Sequence, residues 1–118
     1  MIFAVLVMIL ASLPAAAQEI LEPRPGSVIA SPVSVSVRCG DPCSNGHAHM
    51  HVLIDTPAPE DGRAIPFDAH HLHVHKAQQK LKIDLPPGPH TVMLVLGSSS
   101  HNATDAAHNV GPVAFTVK

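Results

Sequence analysis

Three histidines alternate along Asn45-Gly46-His47-Ala48-His49-Met50-His51-Val52-Leu53-Ile54-Asp55. Read as a strand, this stretch sends Ala48, Met50, Val52 and Ile54 to one face. His47, His49, His51, Leu53 and Asp55 go to the other, because side chains alternate with period two. Residues two apart on one face sit roughly 6.5–7 Å apart along the strand. That is too far for one imidazole to hydrogen-bond the next. Two imidazoles at that spacing can still converge on one ion, since metal–nitrogen bonds are about 2 Å. The pattern returns downstream in His71-Leu72-His73-Val74-His75, with His70 just before it.

Ten histidines in a chain of 118 residues, six of them in these two stretches, are hard to reach as an incidental solvated face. Neutral imidazole suits Cu(II), Zn(II) and Ni(II), with raw affinity peaking at copper. The expected ligands are His49 and His51 from one strand and His71 and His73 from the other. They would hold a single copper or zinc ion rather than several, with His101 as a loop cap. His47, His75 and His90 are further candidates; His90 could equally serve only its turn. Protonated imidazole cannot ligate, so binding should weaken as pH falls through about 6.5.

Cys39 and Cys43 close a short loop directly before the first His strand. In an exported chain such a pair reads as a disulfide; the other reading is two thiolates for Cu(I). Met50 falls on the apolar face and reads as core, as does Met93. Asp55 and Asp68 read first as strand-end and loop residues, and second as partners that orient ligand imidazoles.

The elements that must position these groups are short strands. Val33 to Arg38 alternates strictly, and so does Lys80 to Leu85. His90 to Leu96 is the most apolar run, and Val113 to Val117 closes the chain. Glu22 to Ile29 reads as an edge segment broken by proline. Thr56 to Asp68, rich in Pro, Asp and Gly, reads as a surface loop, and 97–111 as a polar one. Twelve prolines and seven glycines disfavour long helices. With no Trp or Tyr, the core must be aliphatic. The expectation is all-β: one immunoglobulin-like antiparallel β-sandwich. No nucleophile elbow, phosphate loop or paired carboxylates stand out, and a net charge of −2 gives no reason to expect nucleic acid.

Met1 to Leu13 is almost continuously apolar, and Pro14-Ala15-Ala16-Ala17 has the small residues of a signal-peptidase site. The run is too short for a typical spanning helix. Residues 1–17 therefore read as a cleaved signal peptide and 18–118 as one domain in the periplasm or outside the cell, with no membrane contact after cleavage.

Gly46 through Asp55, His71-Leu72-His73 with Gln78, Leu85-Pro86-Pro87-Gly88-Pro89-His90-Thr91, Gly97 and His101 together resemble the domain-of-unknown-function 4399 family. The resemblance runs from Asn45 to the end of the chain. It implies a small exported β domain and picks out His49, His51, His71, His73, His90 and His101. Ser98 stands where that family commonly has an acidic residue, and Thr104 stands near the place of a further histidine.

The functional expectation is an exported copper or zinc carrier, buffer or chaperone. Its partners would be the metal ion and an envelope protein that donates or accepts it. The alternatives are a mononuclear copper or zinc enzyme, such as one acting on superoxide, and a structural envelope sandwich without metal. Protein isolated from the native envelope should show an intact mass that starts at Gln18; a mass that retains Met1 would reject the leader.

Overall fold

The computed structural model describes residues 2–7, 18–44 and 46–118. The expected cleavage site at 14–17 lies outside the described residues, as does Asn45. Residues 2–7 carry no regular secondary structure and are exposed. No described helix is long and apolar enough to cross a membrane.

Among the described residues eight strands form: β1 (Gln18–Glu22), β2 (Val28–Ile29), β3 (Val33–Cys39), β4 (Ala48–Ile54), β5 (His71–His73), β6 (Gln78–Ile83), β7 (Gly88–Ser98) and β8 (Val110–Val117). Single 3-10 turns at Asp41–Cys43 and Ala106–His108 are the other regular elements among the described residues. The strands make a three-stranded sheet in the order β1-β3-β6 and a five-stranded sheet in the order β2-β8-β7-β4-β5. The fold is therefore an all-β, two-sheet sandwich, as the alternation predicts. Every pair is antiparallel except β2 with β8, which runs parallel.

Alternation places the core. Val33, Val35 and Val37 from one sheet meet Met50, Val52, Ile54, Val92, Leu94 and Leu96 from the other, with Phe115 and Val117. Burial of these aliphatic groups is the main favourable term in folding. Met50 is a core residue, on the side opposite the histidines. Cys39 and Cys43 are joined as a disulfide. It ties the end of β3 to the turn that leads into β4.

The outer face of the five-stranded sheet is also covered, which a surface-loop reading of 56–68 does not provide. Leu53, Ile65, Met93, Val95 and Ala103 form a second buried cluster. Ile65 comes from that loop and Ala103 from the segment after β7. Backbone bonds join the two segments: Gly62 N–H to Ala103 O at 2.7 Å, Ala103 N–H to Arg63 O at 2.8 Å and Ile65 N–H to His101 O at 2.8 Å. A sheet covered on both faces has strands that read as continuous apolar runs, and Val92 to Leu96 is such a run.

Ile65 thus holds down the loop that carries His101. Replacing it with Ala should destabilise the fold by about 2 kcal/mol, the low end for truncating a buried aliphatic side chain. Urea unfolding of Ile65→Ala against the parent measures this, and an unchanged midpoint would show the outer cluster to be loose.

Candidate metal centre

β4 lies inside its sheet, between β7 and β5. Its register with β5 sets His51 opposite His73, Val52 opposite Leu72 and Leu53 opposite His71. Val74 N–H donates to Met50 O and Ile54 N–H to His70 O. Those pairs are the hydrogen-bonded ones, so His51 and His73 occupy a non-hydrogen-bonded position between them. Side chains approach closest at such positions. The two rings lie nearly parallel, with centroids 4.9 Å apart.

On the other side of β4, His49 is paired with Gly97 and His51 with Val95. The His51 ring lies over Gly97. A Cβ at residue 97 would come 2.5 Å from His51 Cε1 and 2.8 Å from its Nδ1. The glycine leaves the space that the imidazole fills.

His101 completes the group from above. It follows a turn in which its N–H bonds to Ser98 O, and it has φ of 62°, a conformation uncommon outside glycine. Its backbone is fixed on both sides, through Ser98 and through Ile65. Its ring stands edge-on to His73, centroids 4.6 Å apart, and to His51. His101 Nδ1 lies 3.4 Å from His51 Nε2. One ring nitrogen from each of His51, His73 and His101 lies within 4.8 Å of the other two.

The electrostatics suit a cation ligand. His51 is 3 % exposed. His51 Nδ1 and His73 Nε2 are buried with no hydrogen-bond partner. An unpaired buried polar atom costs free energy; the His51 orphan is Nδ1, on the Gly97 side of the ring, whereas its Nε2 faces His101. Desolvation, aided by the neighbouring His73, lowers the His51 pKa from 6.5 to about 4. Desolvation also lowers that of His73, followed by the proximity of His75 and His101. Both rings are therefore held neutral, the form that ligates.

The other predicted ligands divide. His49 lies beyond the end of β5, with its half-buried ring edge-on to His73 at 5.1 Å. His75 is exposed, and its ring lies 4.4 Å from that of His73. His47 is exposed just before β4. His71 shares the face but sits opposite Leu53, two residues further along. Its Nδ1 donates to Asp68 Oδ1 at 2.6 Å, a bond that leads the lowering of the Asp68 pKa. His90 is at the far end of the sheet. Its Nδ1 donates to Asp55 Oδ2 at 2.6 Å and its Nε2 to Pro86 O at 2.7 Å. Both facing atoms are acceptors, so the ring is held as an imidazolium, and the Asp55 bond raises its pKa. The structure thus gathers His49, His51, His73 and His101, and gives His71 and His90 carboxylate partners. Sequence reasoning missed Gly97 as the source of space for His51 and Ile65 as the roof. A glycine facing a histidine strand was the available signal for the first.

Residues 27–118 match the family described as Domain of unknown function (DUF4399). The chain belongs to the DUF4399 family. No curated protein and no solved structure matches it.

The pKa directions predict opposite pH effects at the two ends of the sheet. His51 titrates lower folded than unfolded, so the unfolded chain takes up its proton first as pH falls. Its neutral burial is fully favourable above 6.5 and is lost between 6.5 and about 4. That amounts to at most about 3 kcal/mol. His90 titrates higher when folded, so its ion pair is fully present below 6.5 and is lost as pH rises through its raised value. Metal-free urea midpoints across this range should drop below pH 6.5 in the parent and drop less in His51→Ala. An equal drop in both would place the acid sensitivity elsewhere.

Proposed function

We propose that the protein is an exported metal-binding protein, a carrier, buffer or chaperone for one copper or zinc ion. The observation that carries this is the meeting of three ring nitrogens from His51, His73 and His101, two of which belong to rings with a buried, unpartnered nitrogen. Export rests on the sequence of residues 1–17 and agrees with the disulfide, since such bonds persist in oxidising compartments. An immunoglobulin-like arrangement of the sandwich and an envelope partner that donates or accepts the ion belong to the same reading.

One of the three separations fits a tetrahedral ion. Two nitrogens each 2.0–2.1 Å from such an ion lie roughly 3.3–3.4 Å apart, whereas a right-angled pair lies roughly 2.8–3.0 Å apart. The His51–His101 separation of 3.4 Å matches the first. A His73 ring nitrogen lies within 4.8 Å of both, and the rings of His75 and His49 stand 4.4 and 5.1 Å from that of His73.

A second reading is a mononuclear copper or zinc enzyme. It is favoured by the count of three nitrogens, because a four-coordinate ion would keep one position for water or substrate.

Protein purified without a His-tag should bind about one equivalent of zinc or copper. His51→Ala and His73→Ala should each cost most of the affinity, and the pair together little more, because they serve one ion. Gly97→Ala should weaken binding by displacing the His51 ring although no ligand residue is removed. Titration calorimetry and metal analysis read these outcomes. Full affinity in the double variant would leave a metal-free sandwich as the reading.

A further inference from the structure

We propose that Asp68 is the positioning residue that selects His73, rather than His71 or His75, as the partner of His51. What this does for an ion rests on the metal reading above; the strand register itself does not.

His71, His73 and His75 follow one another with period two. Slipping a strand by one residue sends every side chain to the opposite face. Slipping it by two returns each to the same face. A two-residue slip one way would set His71 opposite His51, and the other way His75. In either case Leu72 and Val74 would still face the core. The alternation that keeps the histidines outside therefore does not choose among the three. Nor does the connection from β4, since residues 55–70 separate the two strands.

The choice is made at the entry to β5. Asp68 to His71 is a turn closed by His71 N–H, which donates to Asp68 O at 3.1 Å. The Asp68 side chain ties down the same residues. Its Oδ1 accepts from His70 N–H at 2.9 Å and from His71 Nδ1 at 2.6 Å. An aspartate that bonds the backbone two residues on holds a turn by its side chain. His70 then grips the end of β4. Its Nδ1 donates to Ile54 O at 2.9 Å, and its carbonyl accepts from Ile54 N–H at 2.9 Å. Three residues on from that fixed pair, His73 meets His51.

Both slips work against this turn. Bringing His71 to His51 would set residues 68–70 opposite Val52 to Ile54, where the ladder needs extended chain and Asp68 holds a bend. Bringing His75 there would carry the turn past Ile54 and break both His70 bonds. The carboxylate also occupies His71 Nδ1, so the preceding ring on this face is engaged elsewhere.

The experiment uses the full chain and begins without metal. NMR reads the register from proton contacts between His51 and β5, because α-carbons at a non-hydrogen-bonded pair lie about 4.5 Å apart. The parent should show His51 against His73. Asp68→Asn keeps the acceptor oxygen and should show the same. Asp68→Ala should add contacts from His51 to His71 or His75. Asp68 is exposed, so its variants should fold. Zinc titration reads the consequence. His73→Ala should cost about tenfold less affinity in the Asp68→Ala background than in the parent, a coupling of the size found within one network. Equal losses in the two backgrounds would overturn that consequence. A His51–His73 contact alone in Asp68→Ala would overturn the proposal and leave the register to Leu72 and Val74. Loss of every contact between His51 and β5 would overturn it too, by making Asp68 a plain anchor. If the parent takes up no zinc, the metal reading falls, while the metal-free contacts still decide the register.

Discussion

Two imidazole nitrogens without partners, His51 Nδ1 and His73 Nε2, are held out of water on neighbouring strands, and much of the structure bears on them. Leaving such an atom unsatisfied costs about 1–3 kcal/mol, so it persists only where the surrounding packing is fixed. Here the fixing comes from both sides of β4. The main core holds its Met50, Val52 and Ile54 face. The second cluster holds Leu53 on the other. The strand can neither rotate nor slip, because a one-residue shift would send the histidines into the aliphatic core. His51 is therefore placed by packing rather than by a bond of its own.

The outer cluster also links the sheet to the loop. Ile65 packs on Leu53, Met93 and Val95, while its backbone N–H holds the carbonyl of His101. One residue thus connects the buried end of the site to its exposed cap. His101 keeps an uncommon backbone conformation because the chain on either side of it is tied down. That cap would otherwise be a mobile ring on a polar loop, and only two well-placed nitrogens would remain.

The alternation in β3, β4 and β7 made the sandwich legible, and the shared polarity of the two His strands made their pairing legible. The register was not. β5 has three residues and is joined to β4 by a long connection, so no tight turn fixes which of His71 and His73 meets His51. The observed register chooses His73 and moves His71 to Asp68. The second cluster was hidden for a related reason. Leu53 and Val95 sit at positions that alternation assigns to the outside, and only a loop folded back over the sheet reveals their cover. Gly97 could be read as the start of a loop, but its contact with the His51 ring requires coordinates.

Histidine count alone would overstate the site, because burial and carboxylates divide the rings into two chemical kinds. His90 is enclosed by Asp55 and the Pro86 carbonyl, both acceptors, and must carry two protons to satisfy them. Such a ring has no lone pair to offer. His51 and His73 are enclosed by apolar groups and by each other, which disfavours the charged form and leaves a lone pair available. No carboxylate joins their cluster among the described residues. The acidic partners lie instead toward strand ends, Asp55 just after β4 and Asp68 just before β5. The same residue type therefore serves as a charged clasp where an acid is in reach. It becomes a neutral donor where only aliphatic groups and other imidazoles surround it, and only that environment leaves a lone pair that a cation could take.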